Sequence, residues 1–247
     1  MSIKTTLNYS PNFDFKKRSF KQIKFIIFHY TGMKKESEAI KRLTDIQSQV
    51  SCHYLIKKNG EIITMVPESY IAWHAGKSSW ANYRSLNKSS IGIEITNPGH
   101  GFKYKKFTKK QISSLLKLSR FLIKKYKINF KNILGHSDIA PERKKDPGEK
   151  FPWQYFSQNK VGLWHTLKKK YLIKNRQIKT TKADKDLFIN NLFKIGYQKI
   201  FSSNLGKNKC LNYIIKAFQR RYRQDLINGK VDQECLLISK NLMKTFY

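Results

Sequence analysis

The chain has 247 residues, of which 40% are hydrophobic and 27% are charged. This length accommodates one full core and a second small one, because domains usually run to about 100–200 residues. The apolar content excludes a wholly disordered chain, the low glycine and proline counts exclude fibrous repeats, and no apolar run approaches the ~20 residues that a bilayer span needs.

The charge is strongly unbalanced, with 50 Lys and Arg against 16 Asp and Glu and a formal net charge of +34. Such a balance would suit a nucleic-acid binder. However, only nine of the 50 basic residues are arginine, the usual reader of bases, and the lysines are spread along the whole chain. We therefore favour a Lys-rich composition with solvated faces over specific nucleic-acid binding, and we expect electrostatic attraction to anionic envelope surfaces in either case.

The chain has three scattered cysteines, Cys52, Cys210 and Cys235, which are too few for a disulfide framework. It contains no CxxC pair, which excludes a thiolate zinc finger. The start of the chain (MSIKTTLNYSPNF) has no apolar segment before a small-residue cleavage site, so no secretory signal is visible. The sequence therefore leaves two compartments open. The protein stays in the cytoplasm, or it reaches the cell envelope or periplasm, either as a trimmed form or by another export route.

Strand patterns recur along roughly the first 170 residues. Residues 24–29 (KFIIFH), 90–96 (SIGIEIT) and 131–136 (KNILGH) are short apolar runs that predict strands. Two further β-rich stretches flank Asn59-Gly60, which predicts a hairpin. The hairpin requires at least one antiparallel pair, so we expect a mixed sheet.

Helical patterns alternate with these strands. Residues 34–50, the segment that follows Thr108 and residues 154–171 carry apolar side chains at helical spacing, and Thr108 is a suitable N-cap. The predicted fold class is therefore α/β, with a mixed central sheet flanked by helices.

A polar stretch, residues 173–183, predicts a linker between residues 1–172 and residues 184–247. The second part is expected to form a small three-helix domain. Its helical patterns cover residues 184–195, 208–223 and 232–245.

Two of the six histidines, His29 and His136, close predicted core strands, where a sheet often places functional groups. Asp146 follows in a loop rich in proline and charge, and Glu94 projects from another strand. Two imidazoles and one carboxylate would leave a fourth tetrahedral position open, as in a catalytic zinc site that lowers the pKa of water. On the residue pattern alone, such a site and ordinary structural histidines are about equally supported.

Five motifs in order resemble those of the type-2 N-acetylmuramoyl-L-alanine amidases, a superfamily that includes the peptidoglycan-recognition proteins. The motifs are FHYT at 28–31, SCHYLI at 51–56, AWHAG at 72–76, GIEI at 92–95 and GHSDIAPERKKDPGEKFPW at 135–153. They extend over roughly residues 20–170, and the chain looks closest to bacterial enzymes of the AmiD and AmpD kind. The resemblance implies hydrolysis of the amide between N-acetylmuramic acid, or its anhydro form, and the L-Ala of the stem peptide, in peptidoglycan turnover, remodelling or recycling.

The resemblance also assigns roles to single residues. It implies one Zn²⁺ ion bound by His29, His136 and Asp146. Glu94 would activate the attacking water, and Lys144, two positions before Asp146, would stabilise the oxyanion.

In the family the WHAG motif lines the substrate cleft, which implies that Trp73 and His74 contact the substrate, with a structural role as the alternative for His74. Tyr30 is also expected at the substrate. Two alternatives stay open here, since Trp73 and Trp80 suit a hydrophobic core as well as a sugar face, and His53 suits a core or supporting position better than metal ligation. Glu142 departs from the family's usual small residue at its position, and it could form a competing ion pair with its basic neighbours.

Residues 217–238 resemble the type-1 peptidoglycan-binding module, a three-helix domain, in an FQ-containing basic helix followed by the turn Gly229–Asp232. The expected partner is therefore peptidoglycan or a soluble muropeptide. A non-catalytic peptidoglycan-recognition protein is the alternative function, and the intact set of two histidines and one aspartate argues against it.

Overall fold

A computed structural model describes residues 3–198 and 206–245. Its strands are β1 (Thr6–Leu7), β2 (Phe13–Asp14), β3 (Phe25–Tyr30), β4 (Tyr54–Ile56), β5 (Ile62–Thr64), β6 (Ile71–Ala72), β7 (Ser79–Trp80), β8 (Tyr83–Arg84), β9 (Ser90–Ile95) and β10 (Ile133–Gly135). Its helices are α1 (Glu36–Thr44), α2 (Lys109–Tyr126), α3 (His136–Ile139), α4 (Trp153–Gln158), α5 (Lys169–Arg176), α6 (Lys182–Ile195), α7 (Lys207–Tyr222) and α8 (Gln233–Met243). Short 3₁₀ turns lie at Phe20–Gln22, Ile46–Ser48, Leu86–Ser89 and Phe130–Asn132.

A six-stranded mixed sheet forms the centre of the fold, in the order β1-β5-β4-β9-β3-β10. Strand β3 lies between β9 and β10 and runs parallel to both, while β4 runs parallel to β9. Strands β4 and β5 are antiparallel and flank the predicted Asn59-Gly60 turn, in which Gly60 has a φ of 88°. The predicted α/β class with a mixed sheet is confirmed.

The central strands are apolar along nearly their whole length because both faces of the sheet are covered. The first five residues of β3 are buried, and all but one residue of β9 are buried. Parallel strands that are covered on both faces have this continuous pattern rather than an alternating one. Helix α2 covers one face with Leu115, Leu118 and Leu122, and it begins at Thr108, whose side chain accepts a hydrogen bond from the Gln111 amide.

Two predicted helices are shorter in the structure than in the sequence pattern. Helix α1 ends at Thr44, because Asp45 adopts an extended backbone and its side chain caps the next 3₁₀ turn. The helix predicted over residues 154–171 is divided into α4 and α5. Between these two helices, Lys160 and Gly162 each have a positive φ angle, which a right-handed helix does not allow.

The three predicted C-terminal helices are present within the described residues as α6, α7 and α8. Thr181 and Asp232 cap α6 and α8, as each side chain accepts a hydrogen bond from the backbone amide three residues later. Gly229 has a φ of 74°, which a left-handed turn requires. Helix α5 continues to Arg176, so the first residues of the predicted linker are helical.

One hydrophobic cluster joins the sheet to the C-terminal helices. It contains Phe25 and Ile27 of β3 together with Phe188 of α6 and Phe218 of α7. Trp80, which the sequence left open as a sugar-binding face, is 4% exposed, and its ring centroid lies 4.8 Å from that of Tyr197. Trp80 is therefore a core residue. Among the described helices, none is long and apolar enough to cross a membrane.

Candidate active site

Two adjacent parallel strands bring the predicted ligands together. His29 is the fifth residue of β3, and His136 directly follows β10, so both histidines lie at the carboxyl ends of neighbouring strands. The loop after α3 returns Asp146 to the same place. The His29 Nδ1 atom lies 2.9 Å from His136 Nδ1, and each of these nitrogens lies 3.1 Å from Asp146 Oδ2.

The donor set fits a small cation. Three atoms with lone pairs converge, and a single proton could bridge only one of the three pairs. Tetrahedral zinc with bonds of about 2.0–2.1 Å would place its ligand atoms roughly 3.3 Å apart, close to the separations found here. Two imidazoles and one carboxylate are also a ligand set that zinc uses in catalytic sites.

A buried chain of hydrogen bonds determines which nitrogen of His29 carries its proton. Ser90 Oγ donates to the Leu86 carbonyl at 2.6 Å, so it can only accept from His74 Nε2 at 3.2 Å. His74 Nδ1 must then accept from His29 Nε2 at 3.0 Å. The Nδ1 atom of His29 is therefore left with a lone pair directed at His136 and Asp146.

His136 has an equivalent arrangement. Its Nε2 donates to the Ala75 carbonyl at 3.2 Å, which leaves its Nδ1 atom as the lone-pair donor in the cluster. Both histidines thus present Nδ1 to the same point, and supporting groups hold their rings in that orientation.

Electrostatics keep the cluster ready for a cation. Burial, together with neighbouring His136, lowers the pKa of His29 to about 4, so its imidazole is neutral at neutral pH. Burial would raise the pKa of Asp146, but the adjacent His136 and His29 hold it far below its usual range. A neutral imidazole at His29 and an ionised carboxylate at Asp146 are protonation states that metal binding needs.

Glu94 lies beside the cluster on β9. Burial and the nearby charge of Asp146 raise the pKa of Glu94 to about 8. Its Oε2 atom is buried and has no hydrogen-bond partner among the described residues. A buried carboxyl group with a free oxygen and a raised pKa is suited to exchange a proton with a bound substrate or water.

A cleft with a volume of about 370 Å³ opens onto these residues. Lys144, Tyr30, Trp73 and His74, all predicted at the site, line it. Further basic side chains line the same cleft, namely Arg42, Arg143 and Lys145.

The three predicted substrate residues differ in their exposure. His74 is 8% exposed and hydrogen-bonded to His29, so only a small part of its surface is open to the cleft. Trp73 donates its indole N–H to Asp14 at 2.7 Å. Tyr30 is half-buried, and its hydroxyl contacts His100 Nδ1 at 2.9 Å.

His53 lies away from the donor atoms. It is fully buried, and its Nδ1 atom accepts a hydrogen bond from the Gly92 amide. The preference for a core or supporting role over metal ligation is consistent with this position. Gly92 also leaves room for the His74 ring, because a Cβ atom at position 92 would collide with it.

Sequence reasoning missed several supporting groups. Ser90 is one, because only the fold shows that its hydroxyl fixes the His74 proton. Arg143 is another, since it donates to the Ala75 and Lys77 carbonyls, and among the described residues no ion pair joins it to Glu142. Glu149 contacts His100 at 3.0 Å near Tyr30. No sequence motif identified these backbone and side-chain partners.

Comparison with known proteins agrees with this geometry. The family described as N-acetylmuramoyl-L-alanine amidase matches residues 19–149, which include all the residues of the cluster. The chain belongs to the N-acetylmuramoyl-L-alanine amidase family. The implied activity, hydrolysis of the amide between N-acetylmuramic acid and L-alanine, is therefore confirmed at the level of the family.

At least two relatives match this amidase over nearly its full length. AmiD of Escherichia coli strain K12 is 35% identical over 240 residues, which are 92% of this chain and 85% of AmiD. A solved complex of E. coli AmiD with the substrate anhydro-N-acetylmuramic acid-L-Ala-D-γ-Glu-L-Lys superposes with a TM-score of 0.79 at 34% identity and covers 91% of this chain and 90% of that one. AmpDh3 of Pseudomonas aeruginosa superposes with a TM-score of 0.77 at 28% identity and covers 99% and 96% of the two chains.

Proposed function

We propose that this amidase uses one zinc ion, held by His29, His136 and Asp146, to release the stem peptide from muropeptides during peptidoglycan turnover or recycling. The observation that carries the proposal is the buried convergence of three lone-pair donors, 2.9–3.1 Å apart, at the floor of a cleft. Zinc bound there would supply a Lewis acid that polarises the scissile carbonyl and lowers the pKa of water.

Glu94 is the proposed general base and acid. Its free Oε2 atom takes a proton from the attacking water and returns it to the leaving amine of L-alanine. The raised pKa of Glu94 suits both halves of this exchange, because the carboxyl group accepts and releases a proton near neutral pH.

Lys144 is the proposed oxyanion group. Its ammonium group is close enough to the cluster to affect the pKa values of Glu94 and His29. A cation fixed beside the former carbonyl oxygen stabilises charge that develops only in the transition state.

The cleft fits an anionic peptide. Arg42, Arg143, Lys144 and Lys145 line it, so the carboxylates of a stem peptide would meet favourable charge. We assign Tyr30 and Trp73 to the walls that contact the substrate, and His74 to the floor. The solved complex of AmiD with an anhydro-muropeptide, a protein 34% identical over 91% of this chain, favours an anhydro-muropeptide as substrate here.

We further propose that residues 184–247 act as a peptidoglycan-binding module that follows a linker at 173–183. Three helices and a turn at Gly229 support the resemblance to the type-1 module. A second cavity, of about 690 Å³, lies between this turn and the linker and includes Lys179 and Lys230 among its lining residues. Its basic lining would suit anionic groups of the cell wall.

The proposal predicts both zinc content and activity. Purified protein should contain one zinc per chain by mass spectrometry, and Ala substitution of His29, His136 or Asp146 should each remove most of it. His100→Ala is the matched control, because that histidine contacts Tyr30 but lies outside the cluster. Unchanged zinc content in any one ligand variant would remove that residue from the set.

Substrate choice is tested by digestion. Soluble anhydro-muropeptides and intact sacculi should be incubated with the full chain, with and without a chelator, and free stem peptide should be measured. We expect release from the anhydro-muropeptide that stops with the chelator. Binding to sacculi without release from either substrate would instead support a non-catalytic recognition protein.

A further inference from the structure

A buried ion pair connects the C-terminal helices to the helix that starts with His136. Arg221 of α7 donates from Nη1 to Asp138 Oδ2 at 2.5 Å, and each of the two residues is 2% exposed. Asp138 lies two residues after His136 in the four-residue helix α3. The contact therefore joins the proposed wall-binding part directly to the proposed metal site.

Asp138 is held by three donors. Its Oδ2 also accepts from the Gly135 amide at 2.8 Å, which fixes the turn immediately before His136. Its Oδ1 accepts from the hydroxyl of Tyr197 at 2.9 Å, and Tyr197 is 1% exposed. Two of the three donors thus come from residues beyond the predicted linker.

Arg221 contacts the same segment a second time. Its Nη2 donates to the carbonyl of Ile133, the first residue of β10, at 2.9 Å. Its guanidinium lies 4.1 Å from the centre of the Trp153 ring, which limits its movement. Arg221 therefore holds both the start of β10 and the helix that follows it.

Helix α3 also contacts the loop that carries Asp146, another proposed metal ligand. The Ser137 amide donates to the Asp146 carbonyl at 2.9 Å, so a hydrogen bond joins α3 to the Asp146 loop. Without Arg221, Asp138 would be a buried carboxylate without its cation, and α3 would have to rearrange to bring it into contact with water. A small rotation of α3 would turn the His136 ring away from His29.

We propose that Arg221 and Tyr197 are positioning residues for the metal site, so the C-terminal helices orient His136 in addition to attaching the enzyme to the wall. This inference rests on the zinc site proposed above. Groups that orient metal ligands typically change metal affinity 10–100-fold when they are removed.

The test measures zinc affinity of the full chain by competition with a chromophoric chelator. We expect Arg221→Met to weaken zinc binding about 10–100-fold and Tyr197→Phe to weaken it by less. Arg221→Lys retains the charge but not the second contact to Ile133, so its zinc affinity should lie between those of Arg221→Met and the unchanged protein. The double variant Tyr197→Phe with Arg221→Met should lose less zinc-binding free energy than the two single variants lose together, because both residues contact one carboxylate.

Arg176→Met is the matched control. Arg176, in the predicted linker, forms an ion pair with Glu234 of α8 at 2.5 Å, and its described hydrogen bonds and ion pairs do not involve α3. Its zinc affinity should stay within twofold of the unchanged protein even if its melting temperature falls. If Arg221→Met does not fold, Tyr197→Phe and Arg221→Lys decide the question.

Zinc affinities of Tyr197→Phe and Arg221→Lys equal to that of the control would overturn the inference. If the protein without substitutions binds no zinc, the zinc site itself is refuted. Failure of the inference and failure of the zinc site therefore give different results.

Discussion

His29 and Glu94 lie directly opposite each other on the neighbouring parallel strands β3 and β9. Adjacent strands are about 4.8 Å apart, so this register places a proposed metal ligand and the proposed base side by side at one edge of the sheet. The spacing does not depend on loop conformation. The sheet itself therefore keeps the carboxyl group of Glu94 next to the donor cluster.

Glu94→Gln should reduce hydrolysis by at least ~10²–10⁴-fold and leave zinc content unchanged. The amide keeps the size of the side chain but cannot accept the proton of water. Turnover should be measured on an anhydro-muropeptide, with zinc measured on the same sample. Retained turnover in the zinc-loaded variant would assign the base to another group.

Lys144→Met should lower kcat by ~10²–10³-fold with a smaller change in KM, because the ammonium group acts mainly in the transition state. Lys145→Met is the matched control, since Lys145 lines the same cleft one residue later. The control should change KM more than kcat. Equal kcat losses in the two variants would argue for a general charge effect rather than a specific oxyanion contact.

Ser90→Ala should weaken zinc binding by about 10-fold or more, because it removes the acceptor that fixes the His74 proton and, through it, the His29 proton. Ser119→Ala is a suitable control: Ser119 is also fully buried, lies in α2, and its hydroxyl has no partner among the described residues. Chelator competition on both variants gives the comparison. Matching affinities in the two variants would show that the hydrogen-bond chain does not orient His29.

Zinc retention should extend to unusually low pH. An ordinary histidine has a pKa near 6.5, so protons begin to compete with a metal for its lone pair below that value. The pKa of His29 is lowered to about 4, mainly by burial, so protons compete for its Nδ1 atom only near that pH. We expect zinc to stay bound from about pH 7 to about pH 5 and to be released toward pH 4, as followed by dialysis and metal analysis. Complete release at pH 6 from protein that is still folded by circular dichroism would contradict this.

The main elements of the site could be predicted because they lie in local motifs. His29 and His136 each end a recognisable apolar run, and parallel strands place their carboxyl ends at one edge. The structure brings these histidines and Asp146 together as expected, and their role as ligands stays a prediction.

Groups that act through long-range contacts could not be predicted. Ser90 contacts the imidazole of His74, and Arg143 contacts the carbonyls of Ala75 and Lys77. Tyr197 contacts the carboxylate of Asp138. Each of these partners lies in another segment of the chain. His74 was expected at the substrate, and its main contacts with His29 and Ser90 depend on the strand register.

For the fold, as for the site, the local elements could be predicted and the features that depend on distant contacts could not. Strand runs, the Asn59-Gly60 hairpin and the capped helix after Thr108 follow from local patterns, and the structure contains all three. The lengths of α1 and α4 could not be predicted, because each helix ends at a residue whose backbone angles depend on the turn that follows. Burial of Trp80 was equally hidden, since it depends on contact with Tyr197 from beyond the predicted linker.

The hydrophobic cluster that Phe25 and Ile27 share with Phe188 and Phe218 has a consequence for protein engineering. A shortened chain that stops near residue 172 would turn one apolar side of its sheet toward water, and exposed patches of this kind promote aggregation. Fusing the first part to a foreign targeting sequence would therefore require new polar residues on that side. The C-terminal helices of this enzyme therefore cannot be removed or replaced without redesigning the face of the sheet that they cover.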